Sequence, residues 1–518
     1  MRDDVPGGEP TMNIATSSTP ALRPAAAPDD PARTEFDVLI VGAGISGIDA
    51  AKHLIDAMPG ARFALIDRQA EIGGTWRTHV FPGIRSDSDL YTFGFAWKPW
   101  TGLEIATAGE ILKYLDEAVE DLALGPHIRF RRNLAAADWD SSAGLWRLTV
   151  EDLDTGATET LTTKFLWMCQ GYYRHETPHT PDWPGMDRFA GRIVHPQTWP
   201  EDLDHAGRRV VVIGSGATAA TIVPALAKTA ETVTMLQRSP TWFYPSPKDN
   251  ELAALLRPLD LPPEWFHEIM RRKMLHDQKE IRRRAREEPE GLQAELLGAA
   301  EALLGGAAPV DPHFTPRYRV WRQRLARVPE GDLFVAIREG RADVVTDEIE
   351  RFTETGLALK SGATLEADVI VTATGFDLCV MGDAAFTVDG APVDWPGTTT
   401  YRGIMFSGVP NLAWVFGYLR TSWTMRADLV SAWVVRLLQA MRRRGARSVT
   451  PELGERFAEM ELKPFFDPDD FDAGYIMRAL DRMPRQGDRD PWLNRQDYWE
   501  EKEVLPSAPL DDGALVWR

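Results

Sequence analysis

Two short apolar runs, each ending in glycine, set the hydrophobic pattern of this chain. Phe36-Asp-Val-Leu-Ile-Val41 stops at Gly42, and Arg209-Val-Val-Val-Ile213 stops at Gly214. Both read as strands buried on both faces of a parallel sheet. Each leads into a small-residue loop that opens a helix: Gly42-Ala-Gly44-Ile-Ser-Gly47 and Gly214-Ser215-Gly216-Ala217-Thr218-Ala219. A partner strand follows each unit, Arg62–Asp67 and Thr232–Gln237. Between them the pattern predicts a helix over Ile111–Glu120, a hairpin through Leu145–Val150 and Thr158–Leu166, and a return strand from Phe165 to Gly171. Residues 247–308 change character: Leu, Ala, Arg and Glu dominate and β-branched residues are few, which predicts a helical insertion. Asp368–Phe376 is the last strand of the second unit.

The loops carry the first chemistry. Gly42 permits the tight turn, Gly44 lets backbone approach a pyrophosphate, and Gly47 lets the helix pack on its strand. Each helix N-terminus offers free N–H groups and a positive dipole end to phosphate. In the second loop Ala219 stands for the third glycine. The first partner strand ends in a carboxylate, Asp67, suited to ribose hydroxyls. The second ends in Arg238-Ser239, where a cation suits a 2′-phosphate. The fold class expected is α/β, with two doubly wound (Rossmann-like) dinucleotide-binding domains, the first discontinuous and the second carrying the helical insertion. The boundaries read as a disordered lead over 1–34, a first domain part over 35–175, a second domain over 176–370, and the remainder of the first domain with a tail over 371–518.

Between the two loops lies Phe189-Ala-Gly191-Arg-Ile-Val-His195-Pro-Gln-Thr-Trp199-Pro200, an F-x-G-x-x-x-H-x-x-x-W-P pattern. A second loop, Gly73 to Asp87, reads G-G-x-W-x-x-x-x-F-P-G-x-x-x-D. Together these resemble the fingerprints of type I Baeyer–Villiger monooxygenases, and the similarity runs over most of 35–486, nearest to the ethionamide-activating ketone monooxygenase subgroup. The resemblance implies an FAD site at the first loop and an NADPH site at the second. It implies conversion of ketones to esters or lactones through a C4a-peroxyflavin, with O₂ as co-substrate. It places Thr75 and Trp76 along the flavin and Arg85-Ser86-Asp87 where flavin and nicotinamide meet. It makes Phe189, Gly191, His195 and Trp199 connector residues, with His195 setting the domain arrangement. It also places Trp423 and its neighbours in Tyr418–Asp428 at the substrate cavity.

Arg319-Val-Trp-Arg-Gln-Arg324-Leu-Ala326 resembles a family stretch N-P-W-D-Q-R-L-C. Arg324 matches the active-site arginine, which would stabilise developing anions, with Asp87 holding it. Arg319, Val320, Arg322 and Ala326 depart from that pattern, which makes Arg322 a competing cation. Oxygenation of sulfur or nitrogen is the neighbouring alternative. A non-oxygenating NADPH oxidase or redox sensor is the alternative of a different class.

Composition narrows the partners. A formal net charge of -19 disfavours nucleic acid. Two cysteines, Cys169 and Cys379, form no C-x-x-C, which disfavours a metal site and a disulfide reductase, and Cys169 is expected to be a buried structural thiol. No apolar run is long enough to cross a bilayer, so no stable membrane insertion is expected and a cytoplasmic location is. The basic run Arg282–Arg286 reads as a solvated helix face paired with Glu280, Glu287 and Glu288 rather than a membrane patch.

Overall fold

The computed structural model describes residues 22–26, 30 and 32–518. Most of the expected lead, 1–21, 27–29 and 31, lies outside the described residues. Within it, Leu22 and Ala25 pack on the core, and the Ala25 N–H donates to the Leu122 carbonyl at 2.8 Å, so this part of the lead is seated rather than free.

Among the described residues the first sheet has nine strands. β1 (Glu35–Val41) runs into α1 (Ile45–Ala57), then β2 (Phe63–Ile66). The Gly73–Asp87 stretch follows, with one helical turn, α2 (Thr75–Thr78), and then a second, α3 (Leu90–Phe93). α4 (Ala108–Asp121) starts at a reciprocal cap between Thr107 and Glu110. After β3 (Ile128–Arg129) come β4 (Arg132–Asp140), β5 (Leu145–Asp152) and β6 (Thr158–Met168).

The expected hairpin strand and return strand are one element. The lower half of β6 pairs antiparallel with β5, and its upper half lies parallel between β1 and the strand Leu412–Trp414. Eleven residues suffice for both duties because the ladder partner changes partway along. Val38 and Ile40 face one core and Leu39 and Val41 the other, which is why the run is continuously apolar.

The connector is not a linker. Its Arg192–Val194 is β7, the edge of a second, five-stranded sheet. β8 (Arg209–Ile213), α5 (Ala217–Leu226) and β9 (Thr232–Gln237) repeat the strand-loop-helix-strand entry. β10 (Phe243–Ser246) leads into α6 (Glu251–Leu256), α7 (Pro263–Glu287) and α8 (Pro289–Leu304), the expected insertion. After the short α9 (Val310–His313), β11 (Ala326–Pro329) pairs with β10, followed by α10 (Asp332–Arg338). β12 (Ala342–Thr346) and, after a three-stranded meander, Val369–Thr372 complete the second sheet.

The chain then returns to the first sheet, and α11 (Trp423–Arg444) packs along α1. α12 (Gly474–Met477) and α13 (Tyr498–Val504) follow. Of the basic run on α7, Arg283 pairs with Glu280, Glu287 and Glu288 as expected. Arg282 does not lie on that face: it is buried against Trp499 and pairs with Asp497 at 2.7 Å.

The tail is fixed by a buried ion pair. Arg426 on α11 is 0% exposed and Glu501 on α13 3%, with Nε to Oε2 at 2.9 Å. Arg426 also donates to the carbonyls of Phe416 (2.7 Å) and Arg402 (3.1 Å), and the Tyr418 hydroxyl donates to Glu501 at 2.6 Å. Removing one partner leaves the other charge buried and unpaired. Glu501→Ala or Arg426→Ala should therefore cost about 3–5 kcal/mol, read as a lower midpoint of chemical unfolding, and Glu501→Gln should cost less.

Candidate active site

The two sheets are joined by two antiparallel chain passages at the carboxyl ends of their strands. The Cys379 N–H donates to the Tyr172 carbonyl at 3.1 Å, and the Arg174 N–H to that of Asp377 at 2.9 Å. The connector is tied to the same crossing, since Gln197 Nε2 donates to the His175 carbonyl at 2.7 Å. A cavity of about 410 Å³ lies over the first glycine loop, and a second of about 490 Å³ lies under the insertion. Asp87, Ser88, Arg324 and Thr421 line both, so the cavities meet there.

Backbone contact dictates the glycines of the first loop. At Gly42 (φ +107°) a Cβ would lie 2.5 Å from the Cys169 carbonyl oxygen, and at Gly47 only 1.9 Å from that of Gly42. Gly44 faces Gly74 across the cavity floor. α1 begins at Gly44 and α5 at Gly216 without any side-chain cap, so both helix ends present bare N–H groups. Gly216 has open space where a Cβ would stand, whereas Ala219 is fully buried, packing its helix on the sheet.

Asp67 lines the first cavity. Its Oδ2 accepts from the Ala43 N–H at 2.7 Å and its Oδ1 from the Gln69 N–H at 2.8 Å, so it braces the glycine loop. Burial pushes its carboxyl above the usual range, against those two donors. Free lone pairs remain on both oxygens for a ribose. Thr75, Trp76 and Ser86 line the same cavity.

Arg85 does not. Its guanidinium turns to Asp332 at the start of α10, with Nη1 to Oδ2 at 2.5 Å and Nη2 to Oδ1 at 3.1 Å, and so bridges the loop to the second sheet. Arg238 and Ser239 are exposed at the end of β9 and line neither cavity. They stand beside the second glycine loop, where Ser215 Oγ donates to the Ser239 carbonyl at 3.0 Å.

Arg324 Nη2 contacts Asp87 Oδ2 at 3.2 Å, with 37% of the Arg324 side chain open to the cavities. Asp87 holds the guanidinium well above its ordinary pKa, outweighing burial, so it is a permanent cation. Arg322 turns the other way: its Nε meets Asp472 Oδ2 at 2.6 Å, and it lines neither cavity. Ala326 is buried in β11. The departures around Arg324 thus leave no second cation in the cavities from residue 322.

His195 is 7% exposed, and its Nδ1 accepts from the Gln197 N–H at 3.1 Å. Burial pushes its imidazole down to about 4, with the Gly375 backbone opposing. Phe189 packs on Phe352, Gly191 passes the Asp368 carbonyl too closely for any Cβ, and Trp199 packs against the core of the second sheet. These residues hold the crossing and do not reach either cavity.

Trp423 differs from the expectation. Its indole N–H donates to Ser46 at 2.8 Å and its ring stacks on Tyr172, on the side of the first cavity, while Leu419–Ser422 line the second. Two groups escaped the sequence reading. Tyr172 and Tyr173, hydroxyls 2.5 Å apart, line the first cavity next to Arg324, and Gln170 presents an amide with no hydrogen-bond partner on either atom. The available signal was position, since Gln170–Tyr173 follows the carboxyl end of a parallel strand, where ligands of such sheets bind.

Comparison with known proteins places the chain in a family and a fold. The flavin-binding monooxygenase-like family model matches residues 105–252, and an NAD(P)-binding Rossmann-like domain matches 40–100. The chain is 43% identical over 482 residues to the FAD-containing monooxygenase EthA of Mycolicibacterium smegmatis, covering 93% of this chain and 96% of that one. It is 43% identical to EthA of Mycobacterium tuberculosis, covering 93% and 97%. It is 42% identical to the probable FAD-binding monooxygenase AlmA of Acinetobacter baylyi, covering 93% and 95%. Among solved structures, OTEMO in complex with FAD and NADP shares the fold with TM-score 0.66 at 24% identity, covering 80% and 87%. Cyclohexanone monooxygenase from Rhodococcus sp. Phi1 does so with TM-score 0.65 at 24% identity, covering 81% and 86%.

The state of His195 has a measurable consequence. A histidine free in the unfolded chain titrates near 6.5. The neutral buried ring therefore contributes stability that is fully present above that pH and is lost as pH falls towards about 4. The unfolding midpoint should drop across that window, and His195→Asn should flatten this part of the profile.

Proposed function

The chain belongs to the FAD-containing monooxygenases, and from this we propose that it uses NADPH and O₂ to insert one oxygen atom beside the carbonyl of a small-molecule ketone, giving an ester or lactone. The residues at the two glycine loops fit the two cofactors. The bare helix ends at Gly44 and Gly216 suit pyrophosphates, Asp67 suits a ribose, and the unpartnered Gln170 amide suits a polar ring edge. FAD bound at the first loop and reduced by NADPH supplies the activated oxygen. The protein's own work is to bind, align and stabilise.

One observation carries the reading: the Arg324 cation, paired with Asp87 at 3.2 Å, stands where the two cavities meet. Oxygen insertion next to a carbonyl develops negative charge on the carbonyl oxygen. A fixed cation beside that oxygen lowers the energy of that charge. Asp87, coming from the first-sheet loop, keeps Arg324 charged and turned to the junction. The second cavity takes the ketone, with walls from α6, α7 and the turn 419–422. Arg238 reads the 2′-phosphate of NADPH from the end of β9. Among the described residues no helix is long and apolar enough to cross a membrane, and a cytoplasmic place accords with the need for NADPH.

Arg324→Ala should keep FAD and still oxidise NADPH, with ester per NADPH falling about 100-fold or more. Arg324→Lys should recover little, because an ammonium cannot reproduce the planar fork. Arg322→Ala should lower the yield far less than Arg324→Ala does. Full yield from Arg324→Ala would refute the assignment, and products only from sulfides or amines would move the enzyme to sulfur or nitrogen oxygenation.

For the nicotinamide, Arg238→Ala should raise KM for NADPH by about tenfold, from loss of a charge-assisted hydrogen bond, and leave NADH little changed. An unaltered NADPH preference would place the phosphate contact elsewhere.

A further inference from the structure

Arg324 touches Asp87 through one nitrogen only. Nη2 lies 3.2 Å from Oδ2 and 3.5 Å from Oδ1, which is not the two-nitrogen fork that fixes a guanidinium plane. Something else must hold it. The segment before it carries two arginines where the family pattern has Asn and Asp, and both are matched by carboxylates of a single distant loop. Arg319 Nη2 meets Asp470 Oδ1 at 3.1 Å, and Arg322 Nε meets Asp472 Oδ2 at 2.6 Å. Gln323 Nε2 donates to the other Asp472 oxygen at 3.0 Å, and the Asp472 N–H donates to the Arg322 carbonyl at 3.0 Å. Arg420 joins the same knot, donating to Asp470 and, at 3.0 Å, to the Trp321 carbonyl. That knot holds Trp321 at φ +68°, a region that a bulky side chain rarely enters. Three residues past Asp472, Tyr475 on α12 lies against Arg324. Its buried hydroxyl neighbours Arg324 and Tyr172 and makes no well-formed hydrogen bond.

We propose that the loop 470–475 positions the catalytic arginine, Asp472 by clasping the backbone through Arg322 and Gln323, and Tyr475 by turning its buried, unpartnered hydroxyl to accept from the guanidinium. The proposal rests on the reading of Arg324 given above. A lone exposed ion pair contributes little to stability. Here the pairs converge on the residues just before Arg324, so their effect falls on orientation, where a small displacement costs rate steeply. The extra cations are compensated by Asp470 and Asp472, a pairing visible in the chain itself.

The test is a charge-swap cycle, Arg322→Asp, Asp472→Arg and the double variant, beside Tyr475→Phe and Arg324→Ala. Each is read by FAD content, ester per NADPH and unfolding midpoint. Each single swap should lower ester per NADPH by about tenfold or more, with FAD retained, and the double variant should recover most of it. Tyr475→Phe should lower the yield without moving the midpoint. Should a swap variant not fold, Asp472→Asn and Tyr475→Phe give the same comparison. Normal yield in Asp472→Asn and Tyr475→Phe, with Arg324→Ala inactive, would overturn this proposal alone. So would coupling between 322 and 472 that appears in the midpoint and not in the yield. Normal yield in Arg324→Ala would instead remove the reading on which it rests.

Discussion

The contact between Arg324 and Asp87 joins residues 237 apart in sequence, and the arrangement of both sheets serves it. Asp87 ends the loop that follows β2 in the first sheet. Arg324 precedes β11, beside the second. Neither side chain can be useful alone: an unpaired carboxylate in that cavity would repel an anion, and an unpaired guanidinium would have no fixed direction. The pair exists only if the two sheets are set in one relative position, so the inter-sheet crossing is part of the site.

That crossing is built from backbone, neutral groups and the Arg174 to Asp377 ion pair across it. Tyr172–Arg174 and Asp377–Cys379 form a short ladder, Gln197 ties the connector to it, and the Thr374 hydroxyl donates to the His179 carbonyl at 2.6 Å. His195 is uncharged at neutral pH because it is buried there. Beyond the crossing, charge serves bridges such as Arg85 to Asp332 and forms the cation at the junction. The helical insertion adds the far wall of the second cavity through α6 and α7, and α7 reaches back to the first sheet, where Gln278 donates to Asp89 at 2.8 Å.

Much of the fold was legible because it rests on local rules. An apolar run buried on both faces reads as a parallel strand, and glycines at fixed spacing announce a strand-to-helix turn whose backbone has no room for a side chain. The split of β6 into two elements shows the limit. A strand that changes partner partway along keeps the same residue types throughout, and no local signal marks the change. Trp423 shows another limit, since a tryptophan near a site packs where the neighbouring rings leave space, here on Tyr172.

The sequence by itself determined the two dinucleotide loops, the carboxylate and cation at their partner strands, the connector and the helical insertion, because each depends on residues within a few turns of chain. It also picked out Arg324 and Asp87, through resemblance. Only the tertiary structure decided which of Arg322 and Arg324 faces the cavities, that Arg85 bridges to Asp332, and that Arg282 is buried. The physical reason is that a long charged side chain has many rotamers of similar energy. Its direction is chosen by the carboxylate that folding brings within reach, and for these arginines that partner comes from a distant part of the chain.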